Sequence, residues 1–181
     1  MKIACLGWGS LIWKPECLLI QNKWFDDGAL LPIEFTRQSD NQRITLIIDE
    51  EAAPVRTLWA LMTTEDLSDA KKSLREREVT AIKNIHSAMD SDLDEKGFRK
   101  SIVDWLLSKQ LDAAIWTGLS YSKHTKNERP NIGYVVDHLR DLEHNRKKVA
   151  EEYIRRAPKQ IDTEYRRKIE SELGWTYIEH T

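Results

Sequence analysis

With 28 Lys and Arg against 30 Asp and Glu, a formal net charge of −2, and 40% hydrophobic residues, this 181-residue chain has the balance of one ordinary folded core. It lacks the basic excess on one face that nucleic-acid binding requires. No stretch approaches the roughly 18 apolar residues of a membrane helix, and no basic segment followed by an apolar one opens the chain. A single domain over residues 1–181, cytoplasmic and with no membrane or nucleic-acid partner, is therefore expected.

Even the arginine-rich end is balanced, with thirteen Lys/Arg against eleven Asp/Glu from Tyr121 onward, so Arg155-Arg156 and Arg166-Arg167-Lys168 read as solvated helix faces. Cys5 and Cys17 are too few for a disulfide framework and sit in apolar surroundings, which predicts two buried packing thiols. His86, His124, His138, His144 and His180 show no metal-ligand spacing, so neither a metal site nor a cofactor is expected.

In chain order, residues 1–6 are apolar apart from Lys2 and read as a buried strand that opens into Gly7-Trp8-Gly9-Ser10-Leu11. Two glycines without a Cβ let a ligand approach the backbone, where several N–H groups and the Ser10 hydroxyl can face an oxygen. Taken alone, Gly-x-Gly equally makes a tight turn with Trp8 and Trp13 packed as core. A turn at Phe25-Asp26-Asp27-Gly28 precedes a strand over residues 31–37, and Ser39-Asp40-Asn41-Gln42 makes the next turn. Residues 43–48 are β-branched and apolar, the strongest strand signal in the chain, and residues 55–62 predict a further strand. Four strands in roughly sixty residues suggest a small, strongly bent sheet or barrel rather than alternating β and α units.

Thr63 or Thr64 can cap a helix reaching about Glu76, with Leu67, Ala70 and Leu74 on its buried face. Residues 79–82 read as a strand, the acid-rich residues 87–97 as an exposed loop, and Phe98, Ile102, Trp105 and Leu106 as one face of an amphipathic helix. Residues 113–117 predict a short buried strand and residues 120–130 a polar mobile loop. The remainder is helical. Val135, Leu139, Leu142, Val149 and Tyr153 share a face, Pro158 interrupts, and Ile161, Tyr165, Ile169 and Leu173 mark a last helix closed by Gly174.

Leu6-Gly7-Trp8-Gly9-Ser10-Leu11-Ile12-Trp13 resembles the glycine-rich loop of the γ-glutamylcyclotransferase-like family, above all the Phe-Gly-Tyr-Gly-Ser-Leu-Ile-Trp form of its ChaC-type branch. Later landmarks keep the family's order. Phe35-Thr36-Arg37-Gln38-Ser39 is similar to its Phe-x-Arg-x-Ser segment, Leu74-Arg75-Glu76-Arg77-Glu78 to its Leu-x-x-Arg-Glu element, and Asn131-Ile132-Gly133-Tyr134 to its Asn-x-x-Tyr. The resemblance implies an α+β fold in which a small bent β-barrel is wrapped by helices and followed by a helical C-terminal part. It also implies a cofactor-free enzyme acting on a small-molecule γ-glutamyl substrate, by an acyl-transfer cyclisation of the amidine-lyase type. The substrate's own α-amine would attack its γ-carbonyl, giving 5-oxoproline and releasing an amine, amino acid or peptide; the chemistry is glutathione-related, with no particular γ-glutamyl substrate assumed.

Such a reaction asks little of the protein. Holding the substrate folded makes the attack intramolecular, worth about 7 to 11 kcal/mol when orientation is good. One carboxylate can take the proton from the amine and return it to the leaving nitrogen, provided burial lifts its pKa from about 4.3. Glu78 matches the family's catalytic glutamate, with Glu76 as the rival. On a helix the two lie about 200° apart, so one alone can face a given cleft, and the spacing from Leu74 that the resemblance implies favours Glu78. Gly7, Trp8, Gly9, Ser10 and Leu11 match the substrate-binding loop, with the N–H groups of residues 9–11 positioned for the γ-carbonyl oxygen, and Arg37 offers a guanidinium fork to a substrate carboxylate. Ser10 has no His or Asp partner in the pattern and is not read as a nucleophile.

Three positions depart from the family. Trp8 replaces its tyrosine, Val79-Thr80-Ala81 its Gly-Gly-Tyr, and Trp59 the usual glycine of the ChaC-type branch. The competing expectation is a non-catalytic small-molecule binding module on the same fold.

Overall fold

The computed structural model describes residues 1–179, so His180 lies outside the described residues. Over these residues the chain is mixed α+β, with two sheets and five α-helices. The ladders do not close into a barrel among the described residues. By contacts the chain divides into two compact units, each drawn from three stretches: Met1–Gly7, Lys14–Leu31 and Arg56–Gly118 in one, Trp8–Trp13, Pro32–Val55 and Leu119–Thr181 in the other. No helix among the described residues is long and apolar enough to cross a membrane.

The first unit is built on strands β1 (Ile3–Gly7), β5 (Leu58–Leu61), β6 (Ile85–Met89) and β7 (Ala113–Thr117), in the order β5-β1-β7-β6. The two interior strands β1 and β7 are buried at all five positions, as their largely apolar sequences demand. They run parallel, with Ile3 opposite Ala113 and Cys5 opposite Ile115, whereas β5 and β6 pair antiparallel on either side. A parallel pair needs a long crossover. Here it contains helices α1 (Leu67–Glu78) and α2 (Gly97–Lys109), both packed on β6 and β7.

Several local expectations are corrected in this unit. Asp66, not Thr63 or Thr64, caps α1, its carboxylate accepting from Asp69 N–H at 2.9 Å. The helix continues to Glu78 and ends on Val79, whose φ of 48° and ψ of 50° are left-handed, with its N–H returned to the carbonyls of Arg75 and Glu76. That closing turn prevents the strand expected over residues 79–82, and a single 3-10 turn (Ile82–Asn84) follows instead. Strand β6 takes its place by pairing from Ile85↔Thr117 to Met89↔Ala113, which draws Ser87 to Met89 out of the expected loop. Residues 55–62 do not form one strand. Thr57 divides them into β4 (Pro54–Arg56) and β5, because its N–H and hydroxyl both reach the Ala29 carbonyl, at 3.1 and 2.8 Å, and its own carbonyl accepts from Gly28 N–H at 3.0 Å. Only glycine fits at position 28, since a Cβ there would lie 2.6 Å from the Thr57 carbonyl oxygen. Cys5 is buried as expected, whereas Cys17 is exposed, because it stands on the turn after Glu16 rather than in an element.

In the second unit, β2 (Leu30–Gln38), β3 (Ile44–Ile48) and β4 form a sheet in the order β3-β2-β4. Two of the five unit boundaries fall inside strands, after Leu31 in β2 and after Val55 in β4. Helices α3 (Ile132–Asp141), α4 (His144–Arg156) and α5 (Glu164–Leu173) complete it, with α4 on β3 and α3 against both α4 and α5. The helical run breaks at Leu142 and Glu143, which are extended, and Val149 is 46% exposed, off the face assigned to it. Buried Glu34 of β2 holds the start of α5. Its carboxylate accepts from the Thr163 hydroxyl at 2.5 Å and Tyr165 N–H at 3.2 Å, while Thr163 caps the helix through Arg166 N–H. Arg166 does not lie on a solvated face. It is 3% exposed and donates to the carbonyls of Ala157, Pro158 and Ile161, satisfying the turn that Pro158 creates. Residues 120–130 carry a 3-10 turn (Lys123–Thr125) and are tied to β3's end, Tyr121 and Arg129 both donating to Asp49.

Val79 is β-branched, left-handed and 91% exposed, so its conformation costs strain that no packing returns. Val79→Gly is expected to stabilise the protein by about 1 kcal/mol; a thermal or urea denaturation curve measures it.

Candidate functional site

The residues singled out in the sequence fall into two groups. Gly7 and Glu78 belong to the first unit, and Trp8, Gly9, Ser10, Leu11 and Arg37 to the second.

Gly7 ends β1, opposite Leu58. At the end of α1 the helical turn separates the two acids: the Glu76 side chain is 60% exposed beside Arg75, and that of Glu78 is 19% exposed. Arg77, itself 10% exposed, donates from Nη1 to Glu78 Oε1 at 2.7 Å, while its Nε and Nη2 both donate to the Lys14 carbonyl, at 2.9 and 2.7 Å. The guanidinium is thus fixed on the backbone and presents its remaining edge to the carboxylate. Burial raises the Glu78 pKa above the ordinary glutamate value, Arg77 opposes the shift, and the negative charge of Glu16 adds to it. Cys5 on β1 feels the same charge. Burial first and Glu78 second push its thiol far up, so Cys5 is held as a neutral packing group rather than a nucleophile.

In the second unit the stretch Trp8–Trp13 turns on a hydrogen bond from Ile12 N–H to the Gly9 carbonyl at 3.0 Å. Trp8 and Leu11 are 7% exposed, Gly9 is buried and Ser10 half-buried. Gly9 lies against Tyr153 of α4, and a Cβ at Gly9 would stand 2.7 Å from the phenol oxygen. That oxygen also accepts from Leu46 N–H of β3 at 3.3 Å, and the ring has Trp13 edge-on at 5.8 Å, Phe35 at 6.4 Å and the Arg43 guanidinium over it at 5.3 Å. The Gly9 and Leu11 N–H groups make no hydrogen bond among the described residues, so a buried loop presents two unclaimed donors.

Arg37 stands at an irregularity in β2, where the register slips between Phe35 and Arg37 and leaves Thr36 bulged. Its Nε is buried without a hydrogen-bond partner among the described residues, as is the Thr36 hydroxyl. The Asn131 side chain accepts from Tyr134 N–H at 2.8 Å, so the Asn-x-x-Tyr segment is the N-cap of α3.

Two participants escaped sequence reasoning. Tyr153 reads as one more apolar position on a helix face, and nothing local reveals what its hydroxyl meets. Arg77 was legible only as half of an Arg-Glu pair. Compared with protein-family models, with curated proteins and with solved structures, the chain matches none of them.

The packing at Gly9 carries a direct test. Gly9→Ala is expected to cost about 1 to 3 kcal/mol through overpacking, and less in a Tyr153→Phe background, where the nearest ring atom would be 3.6 Å away; a double-mutant cycle by thermal denaturation reads the difference. The electrostatics of Glu78 supply another. A carboxyl whose folded pKa is raised contributes stability that is full below its unfolded pKa and lost as pH rises through the folded value. Gln does not titrate. The melting temperature of Glu78→Gln relative to the parent should therefore climb between acid and neutral pH, and melts across that range check it.

Proposed function

We propose that the protein is a γ-glutamylcyclotransferase-like enzyme of the cytoplasm, closing a γ-glutamyl group to 5-oxoproline with release of an amine, amino acid or peptide and without a cofactor. The small bent barrel of that family belongs to the same proposal. The observation that carries it is Glu78: of the two acids in the Arg-Glu repeat, the one at the family's catalytic position is the less exposed, half-buried one, held by Arg77 and with its pKa raised by burial.

Two further features support it. The unclaimed N–H groups of Gly9 and Leu11 fit a carbonyl oxygen that gains negative charge. Val79 keeps the left-handed conformation that glycine favours, at the place where the family has its glycine.

In the proposed reaction the substrate's own amine is the nucleophile and Glu78 is the proton carrier. The neutral α-amine attacks the γ-carbon, forming the ring C–N bond, as Glu78 accepts the amine proton. Collapse of the tetrahedral intermediate breaks the bond to the leaving nitrogen, which receives that same proton from Glu78. No net proton or electron is consumed.

A panel of γ-glutamyl compounds assayed for 5-oxoproline release tests the proposal. Glu78→Gln should bind substrate nearly as well as the parent and lose about 10²- to 10⁴-fold in turnover, with Glu76→Gln close to the parent. Binding of γ-glutamyl ligands with no turnover of any panel member would assign the fold to a non-catalytic binding module instead.

A further inference from the structure

Within the second unit, the turn Lys123–Thr125 and the start of α3 enclose a cavity of about 270 Å³ lined by His124, Lys126, Glu128, Arg129, Asn131 and Tyr134, with Pro130 among its other walls. None of these residues belongs to the loop or to the Arg-Glu pair described above. Arg129 is locked from behind. Its Nε donates to Asp49 Oδ2 at 2.8 Å, Nη1 donates to the Tyr165 hydroxyl at 2.8 Å, and its guanidinium lies 4.9 Å from the centre of the Tyr165 ring. The Asp49 side chain is fully buried and its other oxygen is taken by the Tyr121 hydroxyl and Glu51 N–H, at 3.0 and 3.1 Å. Four groups thus hold Arg129 in place, while its Nη2 makes no hydrogen bond among the described residues.

Lys126 likewise has no hydrogen-bonding or ionic partner for its ammonium among the described residues, and it stands in a left-handed conformation with φ of 55°. The N–H groups of Ile132 and Gly133 at the first turn of α3 are also unclaimed there, because the Asn131 side chain serves Tyr134. His124 is turned to Asp40 and the Tyr134 hydroxyl donates to Gln38, which leaves Glu128 as the one acid on the lining. The cavity is far larger than the roughly 10 to 15 Å³ that a single water needs, more than a lone ion occupies, and Pro130 and the Tyr134 ring supply apolar wall.

We propose that this cavity binds a small organic acid. Its carboxylate is taken by Arg129, Lys126 and the first turn of α3, and its carbon skeleton lies on Pro130 and Tyr134. The site stands independently of the γ-glutamyl chemistry, and its test involves no turnover.

Succinate is the probe, titrated into the full-length protein by backbone amide NMR, with succinamide as the uncharged control and inorganic phosphate as the second anion. Succinate should shift the amides of residues 124–134, saturate, and outbind both comparators. Lys126→Gln should weaken binding by about two- to fivefold, and Glu128→Gln should tighten it by a similar factor. Both side chains lie at the exposed end of the site, so Arg129 and its buried partners are untouched. Equal binding of succinamide, equal binding of phosphate, shifts confined to other residues, or affinities unchanged in both variants would each overturn the proposal.

Discussion

The second unit is held together by an atom that is missing. Because Gly9 has no Cβ, the phenol of Tyr153 reaches the loop, and from there it also takes Leu46 N–H, so one oxygen joins the glycine loop, β3 and α4. Trp13, Phe35 and Arg43 close around the same ring. Any larger residue at position 9 would push the helix off the loop or the loop off the strand. The conformation that leaves the Gly9 and Leu11 donors unclaimed depends on this contact, and so does everything asked of that loop chemically.

The first unit manages charge in a comparable way. Arg77 spends two donors on the Lys14 carbonyl and so cannot follow its neighbour, which makes the Arg77 to Glu78 pair directional rather than a loose surface contact. Burial and the guanidinium act in opposite senses on Glu78, and burial prevails. Burial acts likewise on Cys5, raising its pKa as it raises that of Glu78, so both groups are pushed toward their neutral forms. Elsewhere buried charge serves architecture. Glu34 supplies the acceptors at the start of α5, and Arg166 fills the carbonyls before it.

What the sequence by itself determined is what local pattern controls. The interior strands β1 and β7 and the strand β3 are legible as largely apolar, β-forming runs, α2 as an amphipathic stripe, and the end of α5 as Gly174, which is left-handed as a closing glycine should be. The candidate positions Glu78 and the glycine loop were legible only through a motif. Tertiary structure decided the rest, because it decides which groups meet. Thr57 splits a continuous apolar run only through its bonds to Ala29 and Gly28, far away in sequence. Val79, a good strand former, becomes a left-handed cap because α1 ends there, and β6 begins later, where the edge of β7 offers partners. Arg166 and Arg167 are neighbours of the same type, and only the carbonyls exposed by the turn at Pro158 bury the first. Propensity acts over a few residues. Burial, hydrogen-bond satisfaction and the different exposure of Glu76 and Glu78 are decided by groups that the chain brings together from a distance.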